Sequence, residues 1–251
     1  MKTVLITGCS SGYGLETARH FLAQGWNVVA TMRMPQQAAA LPASDRLRVL
    51  ALDVTQPESI ERALAQAGPI DVLVNNAGIG LFGSFEATPM ATVREVFETN
   101  TFGTMALCQA IIPHFRERGA GSIVNVTSSA TLAPFPLVAA YTASKTAVEG
   151  FTASLAHELK AFDVRVKLVE PGYGPSTQFT SNGQQRMQGL IPPPYEAFAH
   201  SVFAGFADLA AVTQASDVAE AIWQAANDSS ERLHYAAGAD AVALSLRRRI
   251  A

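Results

Sequence analysis

Short β-branched and aliphatic runs alternate along this chain with longer amphipathic stretches. Runs at 3–7 (TVLIT), 27–32 (NVVATM), 47–53 (LRVLALD), 70–76 (IDVLVNN), 121–128 (GSIVNVTS) and 164–171 (VRVKLVEP) are apolar at consecutive positions, the pattern of interior parallel strands. Between them, 12–25, 57–67, 89–118 with a break near Asn100, and 141–161 carry helical periodicity. Strands and helices in alternation predict right-handed crossovers and an α/β fold: a doubly wound parallel sheet of Rossmann type with helices on both faces.

After residue 171 the pattern is lost. The stretch to about residue 196 is rich in Gly, Pro, Ser and Gln, and a long irregular insertion in a compact domain reads as a lid or binding loop. We place a substrate loop at about 175–212. Helical periodicity returns at 215–227, introduced by Ser216 and Asp217 as cap candidates, and a short strand is predicted at 233–236. No repeat and no second core is visible, so residues 1–251 are expected to form one domain.

Composition narrows the partners. The 251 residues are 49% hydrophobic with a formal charge of −3, and no Lys/Arg stripe invites nucleic acid. Arg247, Arg248 and Arg249 read as a solvated end. Cys9 and Cys108 make no disulfide framework, which fits reduced thiols in a cytoplasmic protein. The apolar run at the N-terminus is too short for a signal-peptide core, and no stretch approaches the ~18 apolar residues of a membrane span. The five histidines lack ligand spacing, so no metal is expected.

The first strand runs into TGCSSGYG. Gly8, Gly12 and Gly14 allow a tight turn that aims helix N–H groups at a phosphate, the arrangement dinucleotide sheets use at this point. The nucleotide's identity is set about 20 residues on, where an acid accepts from a free ribose 2′-OH and repels a 2′-phosphate. No Asp or Glu occurs between Glu16 and Asp45, and Arg33 stands where a 2′-phosphate would sit, with Ser11 a further donor. NADP is therefore expected over NAD. Asp53 could accept from an adenine amino group or cap a helix. NNAG (75–78) ends the fourth strand at the same sheet edge; its amides could tie neighbouring strands while Gly78 lets the backbone approach a ligand.

Tyr141 and Lys145 lie four residues apart in YTASK, on one helix face. A positive charge within about 4–6 Å lowers a pKa by roughly 1–3 units, so the lysine is expected to bring the phenol toward working pH. Ser128, thirteen residues before the tyrosine at a strand end, is the better placed of its neighbours; alternation turns Thr127 and Ser129 to the opposite face.

Together, TGCSSGYG, NNAG, Asn100, Ser128 and YTASK resemble the classical short-chain dehydrogenase/reductase family, most closely its NADP-dependent hydroxysteroid and retinol dehydrogenase branch. The resemblance covers nearly the whole chain and fades after residue 175. It implies that Asn100, Ser128, Tyr141 and Lys145 are catalytic, with a water held at the helix break beside Lys145. It also implies an NADP(H) groove lined by Gly8, Ser11, Gly12, Tyr13, Gly14, Arg33, Asp53, Val54, Asn76, Ala77, Gly78, Tyr141, Lys145, Pro171, Gly172, and Ser176 or Thr177. A homodimer or homotetramer is implied as well, with the helices near 101–118 and 141–161 buried between subunits.

The chain departs from the family pattern at EPGYGPST, where Gly174 replaces a branched residue and Ser176 stands at the threonine's place. The expected activity is reversible reduction of a ketone or aldehyde, with Tyr141 as general acid and base. Leu81, Phe82, Phe135, Phe179 and Tyr195 suggest an apolar carbonyl substrate. Two competing readings are an idle NADP-binding redox sensor, which would not need the Asn–Ser–Tyr–Lys set, and a nucleotide-sugar epimerase or dehydratase, which would need a larger C-terminal substrate domain.

Overall fold

Seven strands lie parallel in one sheet: β1 (Thr3–Thr7), β2 (Asn27–Met32), β3 (Leu47–Ala51), β4 (Val72–Asn75), β5 (Gly121–Val126), β6 (Val164–Pro171) and β7 (His234–Ala237). Their spatial order is β3-β2-β1-β4-β5-β6-β7. The computed structural model describes residues 1–175, 177, 183–207 and 211–248.

Side-chain alternation builds a core on each face. Val4 and Ile6 point to one side, where Phe21 of α1 (Gly12–Ala23) and Ile222 of α8 (Ala215–Asn227) cover them. Leu5 and Leu73 point to the other. There they meet Ile60 of α2 (Pro57–Ala67), Leu107 and Phe115 of α4 (Gly103–Arg118) and Leu155 of α5 (Ala139–Lys160). The sheet order reverses between β1 and β4, and the crevice beyond their carboxyl ends is where open α/β sheets hold ligands.

The predicted helix 89–118 is broken as expected: α3 (Met90–Phe97) passes through a wide π turn at Glu98–Phe102 before α4 begins. Three strands are shorter than their apolar runs. β3, β4 and β5 end before Asp53, Asn76 and Ser128, so these three side chains leave the ladder and enter the loops at the carboxyl edge. β3 is also not interior; it is an edge strand with half-exposed side chains, pairing only β2.

The stretch expected to be irregular contains α6 (Gln184–Met187), a 3-10 turn at Pro193–Tyr195 and α7 (Glu196–Ala207). A final helix, α9 (Ala239–Arg248), was not foreseen. No helix among the described residues is long and apolar enough to cross a membrane. Cys9 and Cys108 are buried free thiols.

Candidate active site

The glycine turn is held by the end of β4. Gly8 has φ +74°, and a β-carbon there would lie 2.9 Å from the Ala77 Cα. At Gly14 a β-carbon would stand 2.3 Å from the Gly8 carbonyl oxygen. Asn76 donates from Nδ2 to the Thr7 carbonyl at 2.8 Å, while the Asn76 and Ala77 amides both donate to Thr7 Oγ1 at 2.9 Å. Asn76 thus acts as a tie between the two loops. Asn75 is the deeper tie, 2% exposed, donating to Asn125 Oδ1 at 2.8 Å.

At the start of α1, Ser11 is in extended conformation, makes no side-chain cap, and no acid lies in the first turn. Uncapped N–H groups above a cradle that any β-carbon would fill suit the phosphates of a dinucleotide. Arg33 is exposed just after β2 and lies close enough to Glu95 to lower that carboxyl's pKa, after the larger effect of Arg186. Asp53 Oδ1 accepts from the Thr55 amide and hydroxyl at 3.0 and 2.7 Å, a local turn ahead of α2. The Val54 side chain is buried against Gly103.

The π turn brings Asn100 under the same edge. Its Oδ1 accepts from the Ile79 amide at 2.8 Å; its Nδ2 donates to the Ile79 carbonyl at 3.0 Å and to Ser144 Oγ at 3.1 Å. The Asn100 carbonyl accepts from Thr104 Oγ1 at 3.0 Å. A β-carbon on Gly78 would be 3.3 Å from both Asn100 Oδ1 and Lys145 Nζ, so Gly78 is the gap through which these two meet the loop.

Helix α5 delivers the reacting pair. Leu137, just before it, has φ +63°, a left-handed backbone that branched or bulky residues rarely adopt, and its carbonyl accepts from the Gly83 amide at 2.8 Å. Tyr141 is half-buried, its ring packed on the cluster of Leu81, Val93, Val96, Ala140 and Leu190. Burial pushes the phenol up to about 12, and a hydrogen bond with Ser128 pulls the other way.

Ser128 is the partly open member of its trio, with Thr127 and Ser129 buried. Its Oγ also accepts from the Ala130 amide at 3.2 Å. Lys145 is 4% exposed, donates to the Val126 carbonyl at 3.0 Å, and burial lowers its pKa to about 8. The expectation that Lys145 brings Tyr141 down toward neutral pH is therefore corrected for the protein without nucleotide. Here the same burial opposes both charges, and the hydrogen bond with Ser128 lowers the phenol's pKa.

A model of the short chain dehydrogenase family matches residues 2–188. The chain is a short-chain dehydrogenase. It is 44% identical to bovine (Bos taurus) retinol dehydrogenase 8 over 182 residues, 68% of this chain and 58% of that protein. Curated relatives are matched over about three fifths of their own length, 64% and 58% for two of them.

Among solved structures, a short-chain dehydrogenase from Streptomyces avermitilis superposes with TM-score 0.83 at 34% identity, covering 99% of this chain and 92% of that one. A serine dehydrogenase complexed with NADP+ superposes with TM-score 0.77 at 28% identity, covering 92% and 93%.

In this short-chain dehydrogenase the aromatic residues divide. Phe82 and Phe135 join Phe206 of α7, with ring centroids 5.9 and 5.8 Å away, and Tyr173 meets the same ring at a tilt, 5.2 Å between centroids. Tyr195 instead donates to Glu86 at the surface, at 2.9 Å. Phe179 and Ser176 lie outside the described residues, while Thr177 donates from Oγ1 to the Gly174 carbonyl at 2.8 Å.

Sequence reasoning missed Tyr173, which sits in the stretch without periodicity, and Phe206, which lies in α7. It also missed Glu149, a buried acid two turns beyond Tyr141 that accepts from Thr127 and Thr131 beside Ser128. Its i+4 spacing from Lys145 was the available signal.

Proposed function

We propose that this protein is an NADPH-dependent carbonyl reductase, working reversibly on an apolar ketone or aldehyde, with Tyr141 as its general acid and base. One observation carries the reading: the Ser128 hydroxyl is bonded to the Tyr141 phenol, with the Lys145 ammonium buried one helical turn on. A redox sensor has no use for a phenol so placed.

When bound, the dinucleotide supplies the hydride in reduction and takes it back in oxidation. Gly8, Gly12, Gly14 and Ser11 hold its phosphates, and Arg33 pairs with the 2′-phosphate. Asp53 and Val54 would border its adenine, Asn76, Ala77 and Gly78 would line the middle of the groove, and Pro171, Gly172 and Thr177 would face its nicotinamide end. Tyr141 gives its proton to the carbonyl oxygen while Ser128 donates to the same oxygen and steadies its charge. Lys145 orients the ribose, and with the carbonyl of Asn100 offers a path by which Tyr141 regains a proton. Phe82, Phe135, Tyr173 and Phe206 supply the apolar wall. The choice of NADPH is supported by Arg33 and by the absence of any acid between Glu16 and Asp45.

The test is a panel of aromatic, alicyclic and aliphatic ketones and aldehydes scored by NADPH consumption against NADH. Turnover with no member of the panel, or a preference for NADH throughout, overturns the reading. We further propose a cytoplasmic homodimer or homotetramer formed through α4 and α5, where Phe102, beside the start of α4, is 52% exposed in the single chain; light scattering decides it.

A further inference from the structure

Gly174 is one of the residues at which the chain departs from the family pattern it resembles, and its backbone gives no reason for a glycine, since it is not among those with positive φ. The reason is steric. A β-carbon at 174 would lie 2.1 Å from the Tyr13 Oη and 3.0 Å from its Cζ, so the loop or the Tyr13 ring would have to move. Tyr13 belongs to the glycine turn, yet its hydroxyl reaches across to donate to the Gly172 carbonyl at 3.4 Å.

The far side of the same loop is pinned by Asp240, which accepts from the Tyr173 amide at 2.7 Å and from Thr213 Oγ1 at 2.6 Å. A second approach lies next to the first, where a β-carbon at Gly12 would come within 3.6 Å of the Thr177 Cβ. Burial, then the charges of Tyr141, Asp240 and Asp217, raise the Tyr13 pKa well above its usual value. Tyr13 is thus a neutral donor, close enough to Tyr141 to feel its charge, and no competitor to it as a base.

We propose that Tyr13 and Gly174 form a matched pair: the Tyr13 phenol fills the volume a side chain at 174 would need and so sets the course of the loop after β6 over the nicotinamide end of the groove. Tyr13 is then a positioning residue for the cofactor. This rests on the nucleotide groove proposed above.

The experiment is a double-mutant cycle of Gly174→Ala and Tyr13→Phe. NADPH dissociation constants are read by fluorescence titration, and melting temperatures are read without nucleotide. With Tyr13 present, Gly174→Ala raises the dissociation constant by about tenfold or more, whereas in the Tyr13→Phe background it raises it by about threefold or less, a coupling within the range found for residues in contact.

The difference follows from the obstacle, which retreats from 2.1 Å to 3.0 Å when the hydroxyl is removed. Equal factors in the two backgrounds overturn the proposal, as does a Gly174→Ala protein that melts lower but binds like wild type. If wild type itself bound neither NADPH nor NADH, the parent reading would fall too; an additive cycle around a binding wild type overturns the pair alone.

Discussion

The Lys145 ammonium donates to the Val126 carbonyl oxygen at 3.0 Å, at the point where β5 ends and the chain turns toward Ser128. A carbonyl is a weak counterpart for a buried charge, and burial lowers the lysine's pKa from the usual 10.5 to about 8. In the free protein this ammonium is a cost to stability.

That cost has a definite sign with pH. Below about 8 the lysine is protonated in both folded and unfolded chains, and the penalty is complete. Between about 8 and 10.5 the unfolded chain binds more protons, so this group's contribution to stability rises with pH. Lys145→Met is expected to melt above wild type at pH 7 without nucleotide, with the gap narrowing toward pH 10. Calorimetry across that range checks it; a gap that stays constant would show that the ammonium is not destabilising.

Tyr141→Phe is expected to keep the fold and NADPH affinity and to lose ketone reduction by a factor of about 10² to 10⁴, the range of a positioned acid. Because the phenol is held at about 12 without nucleotide, it is a proton donor throughout the neutral range. Reduction should therefore be level between about pH 6 and 8 with respect to this group, while alcohol oxidation, which needs the phenolate, climbs with pH up to the group's apparent pKa. An oxidation profile that is flat, or a Phe variant that turns over like wild type, would remove Tyr141 as the proton carrier.

Ser128→Ala is expected to delete two things at once: the proposed donor to the substrate oxygen and the hydrogen bond that lowers the Tyr141 pKa. The first predicts a loss of about 10² to 10³ in kcat, as for other oxyanion donors. The second predicts that the oxidation profile shifts to higher pH. The lost bond from the Ala130 amide should lower stability by only about 1 kcal/mol. A fall in rate with no movement of the profile would separate the two roles and leave Ser128 as oxyanion donor alone.

Much of this was legible from residue pattern. The doubly wound sheet follows from consecutive apolar runs, since strands covered on both faces have no polar side to show. The break at Asn100 was visible because apolar periodicity fails there. The strand ends were not, because Leu52 and Ile70 are as apolar as a strand yet lie outside the ladder, packed into the core with α2 and α4. The relation of Tyr141 to Lys145 was half legible: spacing placed both on one face, but the depth of burial, which sets the direction of both shifts, belongs to the tertiary structure. Tyr13 and Gly174 are 161 positions apart, and nothing local connects them.

Arg33→Asp tests the cofactor preference by charge. Arg33 is exposed at the end of β2, with the Glu95 carboxyl near enough to be acidified by it. A guanidinium meets a phosphate through paired charge-assisted hydrogen bonds worth about 1.5–3 kcal/mol, so removing it should cost NADPH roughly 10- to 150-fold in affinity before repulsion is added. An aspartate there accepts from a free 2′-OH and should strengthen NADH binding, reversing the preference. Screening gives a second check: an exposed pair weakens as salt rises, so wild-type NADPH affinity should fall between 50 and about 500 mM salt more steeply than that of the variant. Selectivity and salt dependence both unchanged would show that the 2′-phosphate, if bound, is held by other groups.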